Sequence, residues 1–144
     1  MMKSYSERAA KIQQRIEELV LFSDNAHYLN RTFGSQSFIK CGNKIESWMR
    51  EAGLETHVDN IGNIRGKLHS SNPSAKTFVI ASHFDTTYHA GKYNGVLGII
   101  MGIDLVENIQ VNKISLLFHI EIIAFSEEEG IRFHIGYLGS KVVA

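Results

Sequence analysis

What this chain has little of sets the first limits on what it can be. Its 144 residues hold one cysteine, Cys41, and one proline, Pro73. A lone cysteine excludes an internal disulfide and suits a reducing compartment, so the expected location is the cytoplasm. No stretch nears the roughly 20 consecutive apolar residues of a membrane span, so no membrane partner is expected. The opening MMKSYSERAAKIQQRIEELV is charged and periodic, unlike a secretory signal. The sequon at Asn30-Arg31-Thr32 is therefore read as chance, and Pro73 spoils the one at Asn72-Pro73-Ser74. Neither charge sign is in excess: 15 Lys and Arg face 15 Asp and Glu. Such a balance supplies no field for nucleic acid, which is not expected as a partner. What remains is ordinary globular composition, 44% hydrophobic and 21% charged, enough for one domain with a real core.

Periodicity places the elements. Ser4 and Glu7 have capping-box spacing, and Ala9, Ile12, Ile16, Leu19 and Val20 recur at helical intervals behind them. A second helix is predicted from about Ser35 to Ala52, with Phe38, Cys41, Ile45, Trp48, Met49 and Ala52 on its apolar face and Gly53 as its stop. Leu54, Thr56 and Val58 alternate with polar neighbours as a strand does. A turn at 60–63 and a return strand at 64–68 make a hairpin. Thr77–Ala81 is a continuous apolar run, as in a strand covered on both faces. A helix is expected over Gly95–Glu107, and another buried strand over Ile120–Phe125, starting as early as Ile114. The order α-α-β-β-β-α-β predicts a layered α/β domain with flanking helices around a mainly parallel sheet.

Polar clusters follow both buried strands: Ser82-His83-Phe84-Asp85-Thr86 and Ser126-Glu127-Glu128-Glu129-Gly130. In α/β sheets, ligands gather beyond the carboxyl ends of strands. His83 and Asp85 lie two apart, so on an extended segment they point the same way. That suits a metal-binding imidazole oriented by a carboxylate, or equally a histidine–carboxylate pair with no metal. Adjacent glutamates allow one carboxylate to bind metal while its neighbour takes a proton from water. The alternative for Glu127–Glu129 is a solvated acidic loop. Cys41, on the apolar stripe with Trp48, reads as a buried thiol. His27, His57, His69, His119 and His134 read as structural or solvated. His89 lies close enough in sequence to Asn94 to approach the site, though a structural role is the first expectation. Gly91, Gly95, Gly98 and Gly102 make no phosphate loop, because no Gly-Lys-Ser/Thr follows; the last three are expected to allow close helix–sheet packing.

Taken together, these segments resemble the peptidase M20 amidohydrolases. Ser82-His83-Phe84-Asp85-Thr86 with Gly91-Lys92-Tyr93-Asn94-Gly95-Val96-Leu97-Gly98 is similar to the family's metal-binding segment. Ala124–Phe133 is similar to its double-glutamate motif, and Leu138-Gly139-Ser140 follows in place. Arg31-Thr32-Phe33-Gly34-Ser35, Trp48-Met49, Ala52-Gly53-Leu54 and Asp59–Asn63 extend the likeness, which runs from about Arg31 onward. The subset resembled comprises allantoate amidohydrolases, N-carbamoyl-amino-acid hydrolases and ureidopropionases, with Glu-Glu-Gly-x-Arg-Phe favouring the first.

The resemblance implies part of a zinc-aminopeptidase-like catalytic domain. His83 would ligate one metal and Asp85 would orient it. Glu128 would be the general base and Glu129 would ligate a second metal. Two divalent ions, zinc or manganese, would be the cofactors. A small ureido compound would be the substrate, and family members would be homodimers. Asn94 stands where the pattern has a bridging aspartate, and a neutral amide in place of a carboxylate implies metal binding weakened or lost. Residues 1–144 would be the N-terminal portion of the catalytic domain, lacking the lid or dimerisation domain, the C-terminal half and two further histidine ligands. Two readings stay open: a metallohydrolase of ureido or amidine C–N bonds, and a non-catalytic remnant or half of a split enzyme needing a companion chain.

Overall fold

The structure, a computed structural model, describes residues 4–144. Helix α1 spans Tyr5–Val20. Its capping box forms as expected: the Glu7 N–H donates to Ser4 Oγ at 3.2 Å, and the Ser4 N–H donates to Glu7 Oε2 at 2.7 Å. Ile16 and Leu19 of its stripe are buried, while Ala9 stays exposed. Helix α2 spans Gln36–Glu51, capped by Ser35 Oγ on the Phe38 N–H at 3.1 Å. It ends in a Schellman motif: Leu54 N–H reaches Met49 O and Gly53 N–H reaches Arg50 O, with Gly53 at φ 88°.

Strands β1 (Glu55–Val58) and β2 (Ile64–Leu68) form the expected antiparallel hairpin. Strand β3 covers Thr77–His83, α3 covers Val96–Val111, β4 covers His119–Phe125 and a short α4 covers Leu138–Lys141. Helix α3 thus runs a turn past the expected end at Glu107, because Ile109 still faces the core. Among the described residues, no helix is long and apolar enough to cross a membrane.

The layered α/β class with flanking helices holds, but the sheet is mixed where a mainly parallel one was expected. Its order is β1-β2-β4-β3; β3 and β4 are parallel, and both pairings of β2 are antiparallel. The hairpin joins the free side of β4, so a tight two-strand unit sets two of the three directions. Alternation sorts the two faces. Ile64, Gly66, Ile80, Ile120 and Ile122 lie under the helices. A Cβ on Gly66 would meet Met49 of α2, and one on Gly102 of α3 would meet Ile80 and Ile122. Hence α2 and α3 cover the same face, with α1 against α3. The other face carries the Arg65–Glu121 ion pair at 2.7 Å.

The expectation that β3 is covered on both faces is also corrected. It forms one edge of the sheet, and Phe78 and Val79 are 56% and 48% exposed.

Cys41 is fully buried beside Trp48 and Ile45 in the core. Burial raises its thiol to about 11, against a smaller opposing pull from the Arg31 guanidinium. Thiolate is the reactive form. A disulfide reagent at pH 8 is therefore expected to leave Cys41 untouched in native protein and to modify it fully in denaturant. Rapid native labelling would place Cys41 outside the core.

Candidate active site

The two polar clusters meet because β3 and β4 are parallel neighbours in register, with His83 opposite Phe125. Both strands therefore release their following loops at the same sheet edge. Asp85 ties those loops together. It is 2% exposed, and its Oδ1 and Oδ2 accept the backbone N–H groups of Glu128 at 3.1 Å and Glu129 at 3.0 Å. His83 Nδ1 lies 3.0 Å from the Asp85 carbonyl oxygen and 3.5 Å from Asp85 Oδ1. Both are acceptors, so Nδ1 carries the proton and Nε2 of the neutral ring keeps its lone pair. That nitrogen faces Glu129 Oε1 at 3.8 Å. Burial is the largest single influence on His83 and favours its neutral form. The Asp85 carboxylate, the Asp85 carbonyl and Glu129 together outweigh it, raising the imidazole above its ordinary value.

Asn94 reaches the cluster from the turn before α3, its Nδ2 donating to Glu129 Oε1 at 3.1 Å. Its side chain is aimed by Gly95, whose φ 70° and ψ −60° form a γ-turn closed by Val96 N–H on Asn94 O at 2.8 Å. A Cβ on Gly95 would lie 2.4 Å from His83 O and 2.7 Å from its ring. Only glycine lets α3 start this close to His83. His83, Asp85 and Glu129 therefore come together at neighbouring strand ends, and Asn94, placed there only by the resemblance, joins them. Glu128 follows the same loop, but its carboxylate accepts from Ser140 Oγ, with oxygens 3.0 and 3.2 Å away, and makes no hydrogen bond to His83 or Asn94.

Three supporting residues escaped the sequence reading. Glu127 is fully buried at φ 43°, and its Oε1 accepts the N–H groups of Arg132 at 3.0 Å and Phe133 at 3.1 Å. A run of three identical residues gives no sign of which one points inward. Asn63 Oδ1 accepts Ser126 N–H, while its Nδ2 donates to Asp59 and to Gly139 O. Gly139 packs so closely that a Cβ would sit 2.4 Å from Asn63 Oδ1, and this contact brings Ser140 to Glu128. Arg31 is 1% exposed and donates to the carbonyls of Phe84, Leu19 and Phe22. Three other histidines have partners elsewhere: His89 stacks on Tyr28, His69 pairs with Glu55, and His119 accepts from Ser70 N–H.

Among the described residues, no three His, Cys, Asp or Glu side chains form a group poised for a metal ion. What does converge is the His83 imidazole, the Glu129 carboxylate and the Asn94 amide, with the Asp85 carboxylate turned to the backbone N–H groups of Glu128 and Glu129.

No protein-family model matches the chain. It is 43% identical over 132 residues to allantoate deiminase 1 of Glycine max, an alignment covering 90% of this chain and 27% of that protein. It is 37% identical over 100 residues to the N-carbamoyl-L-amino acid amidohydrolase of Geobacillus stearothermophilus, covering 69% of this chain and 24% of that one. The chain is a homologue of these amidohydrolases. The fold agrees: a solved structure of AtUAH in complex with (S)-hydroxyglycine superposes with a TM-score of 0.89 at 30% identity, covering 93% of this chain and 32% of that one. These homologues are hydrolases, and the chain spans 24–32% of their length.

Proposed function

We propose that this chain carries one side of the catalytic site of a metal-dependent hydrolase of the M20 type, acting on C–N bonds in small ureido or amidine compounds such as allantoate or an N-carbamoyl amino acid. The observation that supports it best is the grip of Asp85. This one buried residue holds the imidazole of His83 through its backbone carbonyl and the backbone of Glu128 and Glu129 through its carboxylate, so three groups share one rigid frame.

Each residue then has a task. His83 Nε2 and Glu129 would hold a divalent ion, zinc or manganese, which when bound supplies Lewis acidity and lowers the pKa of a nearby water toward about 7. Asp85 keeps Nδ1 protonated and Nε2 available. Glu128 takes the proton from the attacking water and returns it to the leaving nitrogen, while hydroxide adds to the ureido or amidine carbon. Ser140 holds the Glu128 carboxylate in one orientation. The single buried thiol supports a cytoplasmic setting.

One observation favours the second reading, a chain that is catalytic only with a companion. Catalytic zinc sites use about three protein ligands per ion, and here one imidazole and one carboxylate are accompanied by a neutral amide. The isolated chain, given zinc or manganese, is expected to release no ammonia from allantoate above a metal-only control. The decisive arm is a chimaera. This chain replaces the matching segment of the Glycine max allantoate deiminase, with Asn94→Asp included. Turnover should appear and should fall at least about a hundredfold on Glu128→Gln. Activity indifferent to Glu128 would overturn the assignment.

A further inference from the structure

The contact between Asn94 and Glu129 has the polarity of a cation contact. Glu129 Oε1 offers only lone pairs, and the group facing it at 3.1 Å is the amide NH2 of Asn94. His83 Nε2 stands 3.8 Å from the same oxygen, beyond hydrogen-bond reach, so of these two neighbours the amide is the one that bonds it.

We propose that the side-chain amide of Asn94 occupies, on Glu129, the place a divalent cation takes, so Asn94 is a built-in competitor that sets this site to low affinity. The proposal rests on the reading of His83 and Glu129 as an ion-holding pair. The backbone of Asn94 is held at both ends, its N–H on Gly91 O at 3.0 Å and its carbonyl on Val96 N–H at 2.8 Å. The peptide cannot swing aside, so only the side chain can yield. An ion approaching Glu129 must break the amide bond and turn the NH2 away. The turned amide then presents Oδ1 to Oε1, an acceptor pair that persists only while a cation lies between them. Ion binding therefore loses a half-buried hydrogen bond in return for one weak neutral ligand.

This separates a competitor from a ligand. Removing a ligand weakens binding, whereas removing a competitor does not. Cobalt(II) and manganese(II) binding to the full chain is measured by calorimetry, and cobalt also by its visible absorption, for wild type, Asn94→Ala, Asn94→Asp and His83→Ala. Asn94→Ala should bind at least as tightly as wild type. Asn94→Asp, which replaces the donor with a charged ligand, should bind at least about tenfold tighter. Adding His83→Ala to Asn94→Asp should abolish the cobalt spectrum. Asn94→Ala weakening binding about tenfold would make Asn94 a ligand and overturn the proposal, as would equal affinities for Asn94→Asp and wild type. Binding that is indifferent to His83→Ala, or absent even from Asn94→Asp, would overturn the ion-holding reading itself and the proposal with it.

Discussion

Asp85→Ala should lower the free energy of unfolding by about 3–5 kcal/mol, the range for losing one partner from a buried charged network. Three partners are stranded at once. The N–H groups of Glu128 and Glu129 lose their acceptors, and His83 loses the carboxylate beside Nδ1 while keeping only the Asp85 carbonyl. At 2% exposure, water cannot readily replace the lost oxygens. Asp85→Asn keeps one acceptor oxygen but offers an NH2 to a backbone N–H, so it should recover less than half of the loss. Urea unfolding followed by circular dichroism measures both. If Asp85→Ala stays within about 0.5 kcal/mol of wild type, as for an ordinary surface change, Asp85 is not the tie between the two loops.

The same variant has a pH signature. His83 has a raised pKa in the folded protein, so its contribution is fully present below its unfolded value of about 6.5 and fades as pH rises through the folded value. Burial alone would push the imidazole the other way; Asp85 is the chief reason it does not. The stability gap between wild type and Asp85→Ala should therefore be wider at pH 5.5 than at pH 9. A gap that grew toward alkaline pH would mean that His83 is held neutral.

How much of this was legible in the sequence depended on whether the signal was local. The strand ends at Ala81 and Phe125 could be found because continuous apolar runs stop abruptly at residues with chemistry. Parallel pairing of β3 with β4 then brings His83 near Glu129 without any long-range detail being known. The direction of β2 was harder. Ile64-Arg65-Gly66-Lys67-Leu68 alternates, which suits a strand covered on one face, but nothing nearby says that it joins β4 or in which sense. The edge position of β3 was hidden for the same reason, since its composition is that of an inner strand. Arg31 and Asn63 were illegible as supports because their partners lie far along the chain, at Phe84 and at Ser126 and Gly139. Glu127 failed for a different reason. Charge patterning treats three glutamates alike, and only the positive φ at 127 and its bonds to the Arg132 and Phe133 N–H groups mark the first as the buried one.

Gly95→Ala should cost more than about 2 kcal/mol and should disorganise the site as it does so. Two independent penalties coincide. An L side chain at φ 70° and ψ −60° is strained whatever surrounds it. The added methyl would also lie 2.4 Å from the backbone oxygen of His83, which is fixed in β3 and cannot rotate away. Relief requires either the α3 start or the end of β3 to move. A move at the α3 start carries Asn94 off Glu129, and a move of β3 carries His83 off Asp85. Gly91→Ala is the internal control, because the same loop has open space there and no atom lies within 4 Å of the added Cβ. It should remain within about 0.5 kcal/mol of wild type. Paired urea unfolding curves, with cobalt absorption as a second readout of His83, measure the contrast. Equal stability of the two alanine variants would show that α3 does not begin against His83, and the γ-turn would lose its place in the architecture of the site.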